Sequence, residues 1–308
     1  MPAVWAPSTA ELARMAGVTP REMLRFDGNT PPEPLPGTRP EVLADALAEI
    51  NSYPHGGYPG IHEAIADYAG VQAENVVLGA GADDLIMLVA RSYAGPGDVI
   101  AIPQSPTYPI YAIAAALAGA SVGTESPVLT FLCRPGNPLG DLPPIPDARP
   151  LAVDEAYFEY ADGETAVPLL DDGVIVIRTF SKIFGLAAAR IGYLLAERET
   201  AAALAERQAP AQVSTLSVAL ALAALESRPD PAPVIEERDR LTEQLRTLGF
   251  APLPSHANFV YVRVDDVDAV WRHLVLHRCV VRRQPGGIRI SIRNREDDDV
   301  LLRALAAL

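Results

Sequence analysis

VIVIRTFSKIFGLAAARIGYLL, residues 174–195, opens with four consecutive β-branched apolar residues, Val174 to Ile177, and sets a single lysine, Lys182, just beyond them. An unbroken apolar run of this kind reads as a short strand buried on both faces. A cation at the end of such a strand needs a partner or a task, because an unpaired buried charge is costly. The amine of a lysine can be made neutral and nucleophilic by its surroundings, as a Schiff base with an aldehyde cofactor requires. For Lys182 taken alone the simpler alternative is a stem on apolar surface with its head in water. Its neighbours decide between the two.

Working outward, the chain alternates short apolar runs with helical stretches, the pattern of an α/β protein with a largely parallel sheet covered on both faces. Val76–Val77–Leu78 leads through Gly79–Ala80–Gly81 into a helix expected over residues 83–93. Asp98 to Ile102 precedes a proline-rich turn and an alanine-rich helix over 108–117; residues 131–133, 151–153 and 174–177 are further buried strands. Beyond Leu195 the pattern changes to helices over 197–207, 214–226 and 234–248, the last two separated by Pro229 to Pro233. Alternating strands at 258–264, around Val280 and at 288–292, with helices over 267–276 and from Glu296, then suggest a smaller α+β domain.

With 308 residues the chain is long for one simple domain, so a large domain with a smaller companion is expected. Twenty-five Lys and Arg against thirty-nine Asp and Glu give a formal charge of -14, which argues against nucleic acid or an anionic membrane as the main partner. Any phosphate it binds must be held by local groups. Cys133 and Cys279 are too few and too far apart to suggest a disulfide framework or a metal site, and both read as buried thiols. The start, MPAVWAPSTAELARM, lacks a basic segment followed by an apolar core, and no apolar run reaches the length of a membrane span, so a cytoplasmic protein without a membrane partner is expected.

Around Lys182 several residue types converge. Asp154 directly follows Leu151 to Val153, at the carboxyl end of an expected central strand, where ligands of open α/β sheets bind. A carboxylate there can hold a protonated heterocyclic nitrogen. Asn137, in RPGNP, follows another such strand and can donate to a cofactor oxygen, with Tyr157 as a second donor. The strand-to-helix junction Gly79 to Asp83 offers backbone N–H groups and a helix dipole to a phosphate. Thr179, Ser181 and Arg190 complete that site with hydroxyls and a guanidinium. Each has a plainer alternative as a turn glycine, an N-cap aspartate or a surface arginine; their order along one chain favours the site.

That order resembles the fold type I pyridoxal-phosphate-dependent aminotransferases, most closely the histidinol-phosphate aminotransferase branch, over nearly the whole chain. The resemblance rests on INSYPHGGYPGIHEAIADYAGV, GAGADD, SPTYPIY, RPGNPLG, AVDEAYFEY, RTFSKIFGLAAARIGY, HANFVYVRV and VVRRQPGGIRISI. It implies a mostly parallel, seven-stranded type of sheet between helices in a large domain. The divisions it suggests are an N-terminal arm over 1–40, a shortened cofactor-binding domain over 41–198 and a small α+β domain over 199–308. Pyridoxal 5'-phosphate is the implied cofactor, an amino donor and a keto acceptor the implied substrates. Lys182 would carry the cofactor and move the substrate proton, Asp154 would pair with the pyridinium nitrogen, and Asn137 and Tyr157 would bond the ring oxygen. Tyr108 would stack on the ring. The Ala82 and Asp83 backbone amides, Thr179, Ser181 and Arg190 would hold the phosphate, with Tyr53 reaching across from the second subunit of a homodimer with shared sites; Tyr58 is the other candidate for that contact. Arg289 matches the arginine used for the substrate's anionic group and Arg282 a second one typical of phosphorylated substrates, beside Asn137 as a substrate contact. Two guanidiniums suit a phosphate dianion; alternatively Arg282 belongs to a basic surface cluster with Arg278 and Arg283.

The same motifs also suit an aromatic or broad-specificity aminotransferase, a threonine-phosphate decarboxylase, or a non-catalytic binding protein of this fold. Thr30 stands where the arm of the family carries an acidic residue, Asp84 where glutamate is common and Leu139 where threonine is. The stretches 120–131 and 140–154 are shorter than in the family, so a helix flanking the large sheet is expected to be missing.

Overall fold

The computed structural model describes residues 7–35, 38–54 and 56–308. Residues 1–6 of the N-terminal stretch, Pro36 and Gly37 of the arm, and His55 within INSYPHGGYPG lie outside them. In chain order the elements are α1 (Thr9–Ala16), β1 (Leu24–Phe26), α2 (Ala44–Ala48), α3 (Pro59–Ala69), β2 (Val76–Gly79), α4 (Ala82–Tyr93), β3 (Val99–Ala101), α5 (Ile110–Ala118), β4 (Ser121–Val122), β5 (Leu129–Cys133), β6 (Leu151–Asp154), β7 (Val174–Thr179) and β8 (Gly192–Leu195). They continue with α6 (Arg198–Ala205), α7 (Thr215–Ser227), α8 (Ala232–Thr247), β9 (Ala251–Pro252), β10 (Phe259–Arg263), α9 (Val267–Leu276), β11 (Cys279–Gln284), β12 (Gly287–Ser291) and α10 (Arg295–Ala306). Local chemistry sets several limits. Ser8 and Glu11 exchange side-chain to backbone hydrogen bonds that satisfy the first N–H groups of α1, and Gly17 ends that helix at φ 69°. The Asp266 carboxylate caps α9 by accepting from the Ala269 N–H.

The larger compact unit comprises residues 33–137 and 141–230. Its seven strands lie in the order β2-β8-β7-β6-β5-β3-β4, and all run the same way except β8, antiparallel to both its neighbours. Leu85, Ile86 and Val89 of α4 and Tyr111, Ala114 and Ala115 of α5 pack with Phe131, Ala152 and Ile177 of the sheet in one fully buried cluster. Every residue of β5, β6 and β7 is buried, as continuous apolar strands require. No helix lies between β4 and β5 or between β5 and β6. A parallel pair usually needs a helical crossover; here residues 134–150 make the β5–β6 crossing without one.

The smaller unit comprises residues up to Pro32, Pro138–Gly140 and Pro231–Leu308. Its five-stranded sheet has the order β1-β11-β12-β10-β9, with β1 parallel to β11 and the remaining pairs antiparallel. Phe26, Leu241, Val260, Leu274, Ile290 and Leu301 form its core.

The unit limits fall elsewhere than 40 and 198. The start of the chain joins the smaller unit because Leu24 to Phe26 pair with Cys279 to Val281, a contact across more than two hundred residues. Residues 199–230 join the larger unit: Ala201 and Leu204 enter its core, and the side-chain amides of Gln208 and Gln212 donate to the Leu78 carbonyl at 2.7 and 3.0 Å. Strand β8 is an addition to the expected set, defined by its long-range pairing with β2 and β7. No described helix is long and apolar enough to cross a membrane.

Candidate active site

The carboxyl ends of β5, β6 and β7 lie side by side, with Cys133 opposite Asp154 and Asp154 opposite Ile177. Because β8 runs against them, its first residue, Gly192, falls beside Thr179 on one side and Gly79 on the other. Gly192 is a point of close approach. A Cβ there would stand 2.8 Å from the Arg178 carbonyl oxygen and 3.0 Å from the Ala82 nitrogen. The missing side chain lets the first turn of α4 settle on this edge, carrying the N–H groups of Ala82 and Asp83.

Arg190 sits in the left-handed region at φ 51°, and its guanidinium lies against Gly81, 2.8 Å from the position of a Cβ. It pairs with the Asp83 carboxylate at 3.6 Å. The Thr179 hydroxyl donates to the Ser181 hydroxyl at 2.9 Å and accepts the Ser181 N–H at 3.1 Å. A helix N-terminus, two hydroxyls and a guanidinium around a glycine face make a donor set for a phosphate dianion. Tyr108, just before α5, donates its hydroxyl to Asp83 at 3.1 Å, which ties it to the same turn.

Asp154 is buried, with Oδ2 accepting the Tyr111 hydroxyl at 2.6 Å and Oδ1 accepting the Ala156 N–H at 3.1 Å. Burial pushes its carboxyl up to about 6; the two hydrogen bonds and the Lys182 charge pull the other way, while Asp83 adds to the rise. A desolvated carboxylate of this kind gains most from a cationic partner, which a protonated pyridine nitrogen provides. In the loops nearby, the Asn137 amide donates to the Tyr157 hydroxyl at 3.4 Å, and the Lys182 Nζ lies 5.5 Å from the centre of the Tyr157 ring. Ten of the expected residues, Ala82, Asp83, Tyr108, Asn137, Asp154, Tyr157, Thr179, Ser181, Lys182 and Arg190, therefore lie on elements that end or begin at one sheet edge. Their chemistry fits pyridoxal phosphate: an amine for the aldehyde, a carboxylate for the ring nitrogen, paired donors for the ring oxygen and a cradle for the phosphate.

Three residues beneath this edge are not legible as site residues in the motifs. Tyr111 is fully buried. Arg178 donates through Nε and Nη2 to Glu155 at 3.1 and 2.9 Å, with both side chains buried and the guanidinium 3.5 Å from the centre of the Phe158 ring. That ion pair ties the end of β7 to the turn after β6.

In the smaller unit, Arg282 of β11 and Arg289 of β12 are direct cross-strand partners, so their side chains leave the same face. Arg289 is buried and donates through Nη2 to the Asp27 carbonyl at 2.8 Å; Arg282 is exposed. Like charges directly opposite each other repel unless an anion joins them. The hairpin between them is short, with Gly286 at φ 74° in its turn. The N-terminal arm is held to this sheet: the Asn29 N–H and Oδ1 both bond the Ser291 hydroxyl at 2.8 Å, and Asn258 donates to the Asn29 carbonyl at 3.0 Å. Of the two tyrosines in INSYPHGGYPG, Tyr58 donates to the Val213 carbonyl within its own unit, whereas Tyr53 is 83% exposed.

Comparison with known proteins adds a second line. The family model "Aminotransferase class I and II" matches residues 23–126 and 124–305. The histidinol-phosphate aminotransferase of Thermococcus gammatolerans is 31% identical over 92% of this chain and 91% of its own. Histidinol-phosphate aminotransferase 2 of Archaeoglobus fulgidus is 32% identical over 92% of this chain and 93% of its own. Among solved structures, the histidinol-phosphate aminotransferase of Sinorhizobium meliloti in complex with pyridoxal-5'-phosphate superposes with a TM-score of 0.85 at 26% identity, covering 99% of this chain and 95% of that one.

Proposed function

The chain belongs to the aminotransferase class I and II family, and from that membership and its site we propose that it is a pyridoxal-phosphate-dependent histidinol-phosphate aminotransferase. Its reaction exchanges the amino group between L-histidinol phosphate and 2-oxoglutarate, giving imidazole acetol phosphate and L-glutamate, as a step of histidine biosynthesis. When bound, pyridoxal phosphate supplies an aldehyde for the amino group and a ring that takes up the electron pair left at the substrate carbon. The remaining work falls to the chain. Lys182 holds the cofactor and moves the proton through its Nζ. Asp154 keeps a negative charge for the ring nitrogen, and Asn137 and Tyr157 supply the donors for the ring oxygen. Tyr108, held by Asp83, offers its flat face to the ring. The α4 N-terminus, Thr179, Ser181 and Arg190 bind the cofactor's phosphate.

The observation that carries the substrate assignment is the cross-strand pair Arg282 and Arg289, because two guanidiniums on one face suit a phosphate dianion. A homodimer with shared sites is supported by a stripe of exposed apolar side chains, Leu47, Ile50 and Tyr53, on and just after α2. Within that stripe Tyr53 is the residue for the partner's cofactor, since the Tyr58 hydroxyl is engaged in its own unit. A cytoplasmic location accords with the two buried free thiols. The test is a panel of L-histidinol phosphate, phenylalanine, tyrosine and threonine phosphate. Histidinol phosphate is expected to show the highest kcat/KM. Faster turnover of the aromatic amino acids, or carbon dioxide release from threonine phosphate, would overturn the assignment.

A further inference from the structure

We infer that Tyr111 is a positioning residue of the cofactor site, its phenol holding the Asp154 carboxylate ionised and fixed for the ring nitrogen. The inference rests on the reading of pyridoxal phosphate as cofactor. It goes beyond the site residues assigned from the motifs: Tyr111, the last residue of SPTYPIY, lies one helical turn after Tyr108, and its hydrogen bond to the site is made to Asp154.

Three observations carry it. The first is the contact itself: the Tyr111 hydroxyl and Asp154 Oδ2 are 2.6 Å apart, the short distance of a charge-assisted hydrogen bond. The second is that the phenol is held in place. Its ring stacks on Phe131 at 5.4 Å and 21° and meets Tyr108 edge-on at 6.1 Å. Behind it, the Cys133 thiol lies beside the hydroxyl and donates to the Pro135 carbonyl at 3.3 Å, while the Gln104 amide clamps the Cys133 backbone from both sides at 2.7 and 2.9 Å. The third is direction. Burial raises the phenol's pKa, so it keeps its proton and acts only as a donor to Asp154.

The charged and titratable groups around Asp154 make that donor necessary. Asp83 from α4 disfavours its charge and Lys182 favours it, while Tyr108 from the turn before α5 and Cys133 of β5 remain neutral neighbours. The Ala156 N–H serves the other carboxylate oxygen. The Tyr111 hydroxyl is thus the side-chain donor that offsets the cost of burying an ionised Asp154. Without it, the carboxyl would hold its proton to a higher pH, and the ring nitrogen would lose its anionic partner near neutrality.

The test compares pyridoxal phosphate binding by wild type and Tyr111→Phe, titrated from pH 5 to 9 after removal of bound cofactor. Wild-type affinity is expected to fall as pH drops through about 6, as Asp154 takes up a proton. In Tyr111→Phe, which keeps the ring stacking, the midpoint is expected to move up by about one pH unit, with affinity about twofold weaker at pH 7 and about tenfold weaker at pH 5. Replacement of Tyr111 by 3-fluorotyrosine, a stronger donor of nearly the same size, is expected to move the midpoint down and keeps the test decisive where the Phe variant folds poorly. A wild type that binds with the expected profile beside two variants with unmoved midpoints would overturn the role of Tyr111 alone. A wild type that binds no cofactor at any pH would overturn the cofactor reading and this role with it.

Discussion

Lys182 and Arg282 carry the two halves of the functional account, and each answers to a single substitution. Lys182 lies on the loop that leaves the fully buried strand β7, close to the Tyr157 ring and near enough to Asp154 to bear on its charge. Removing the amine in Lys182→Ala removes both the attachment point and the proton carrier, so kcat is expected to fall by about a thousandfold or more. Absorbance of the dialysed protein should show the loss of tightly held cofactor; normal turnover by that variant would rule the role out. Arg282 is exposed where Arg289 is buried, so its removal should spare the fold. In Arg282→Ala the KM for histidinol phosphate is expected to rise about tenfold to a hundredfold, the effect of losing one charged hydrogen-bonding group. Phenylalanine, which has no phosphate, should respond much less in the same kinetic assay. Equal effects on both substrates would place Arg282 in the surface cluster with Arg278 and Arg283.

At the scale of elements, the site depends on how closely α4 approaches the end of β8. Gly192→Ala places a methyl against the Arg178 carbonyl and the Ala82 nitrogen, both backbone atoms with little room to yield. It is expected to cost about 1–3 kcal/mol, seen as a lower denaturant midpoint, and to weaken cofactor binding by displacing the first turn of α4. An unchanged midpoint together with unchanged binding would show that this approach does not set the phosphate site. The buried strands and most helices are legible in the sequence because their signals are local: the apolar runs at 131–133, 151–153 and 174–177 and the period of residues 267–276 coincide with observed elements. Strands β1 and β8 are not, since three or four residues hold too little pattern and both are defined by partners far away in sequence. The same reason hides Tyr111 and the Arg178–Glu155 pair. All three stand within SPTYPIY, AVDEAYFEY and RTFSKIFGLAAARIGY, but a buried tyrosine in an alanine-rich helix reads as core until its hydroxyl is seen to meet a carboxylate.

At the scale of the whole molecule, the account requires a second copy of the chain and a complete catalytic cycle. Leu47, Ile50 and Tyr53 expose large apolar side chains on and just after α2, the surface proposed for the dimer. Ile50→Arg is expected to shift the protein from dimer to monomer in analytical ultracentrifugation, through an unpaired charge in an apolar interface. A dimer of unchanged stability would put the interface elsewhere. The loss of the crossover helix between β5 and β6 leaves the order of the seven strands intact, so the carboxyl edge that gathers Asp154, Thr179 and the start of α4 is complete without it. The most direct measurement of the central claim is the absorbance spectrum of the cofactor-loaded protein as L-histidinol phosphate is added in the absence of any keto acid. The account predicts full conversion of the bound aldehyde form to the amine form, reversed on addition of 2-oxoglutarate; a spectrum that stays unchanged with histidinol phosphate but converts with another amino compound would contradict it.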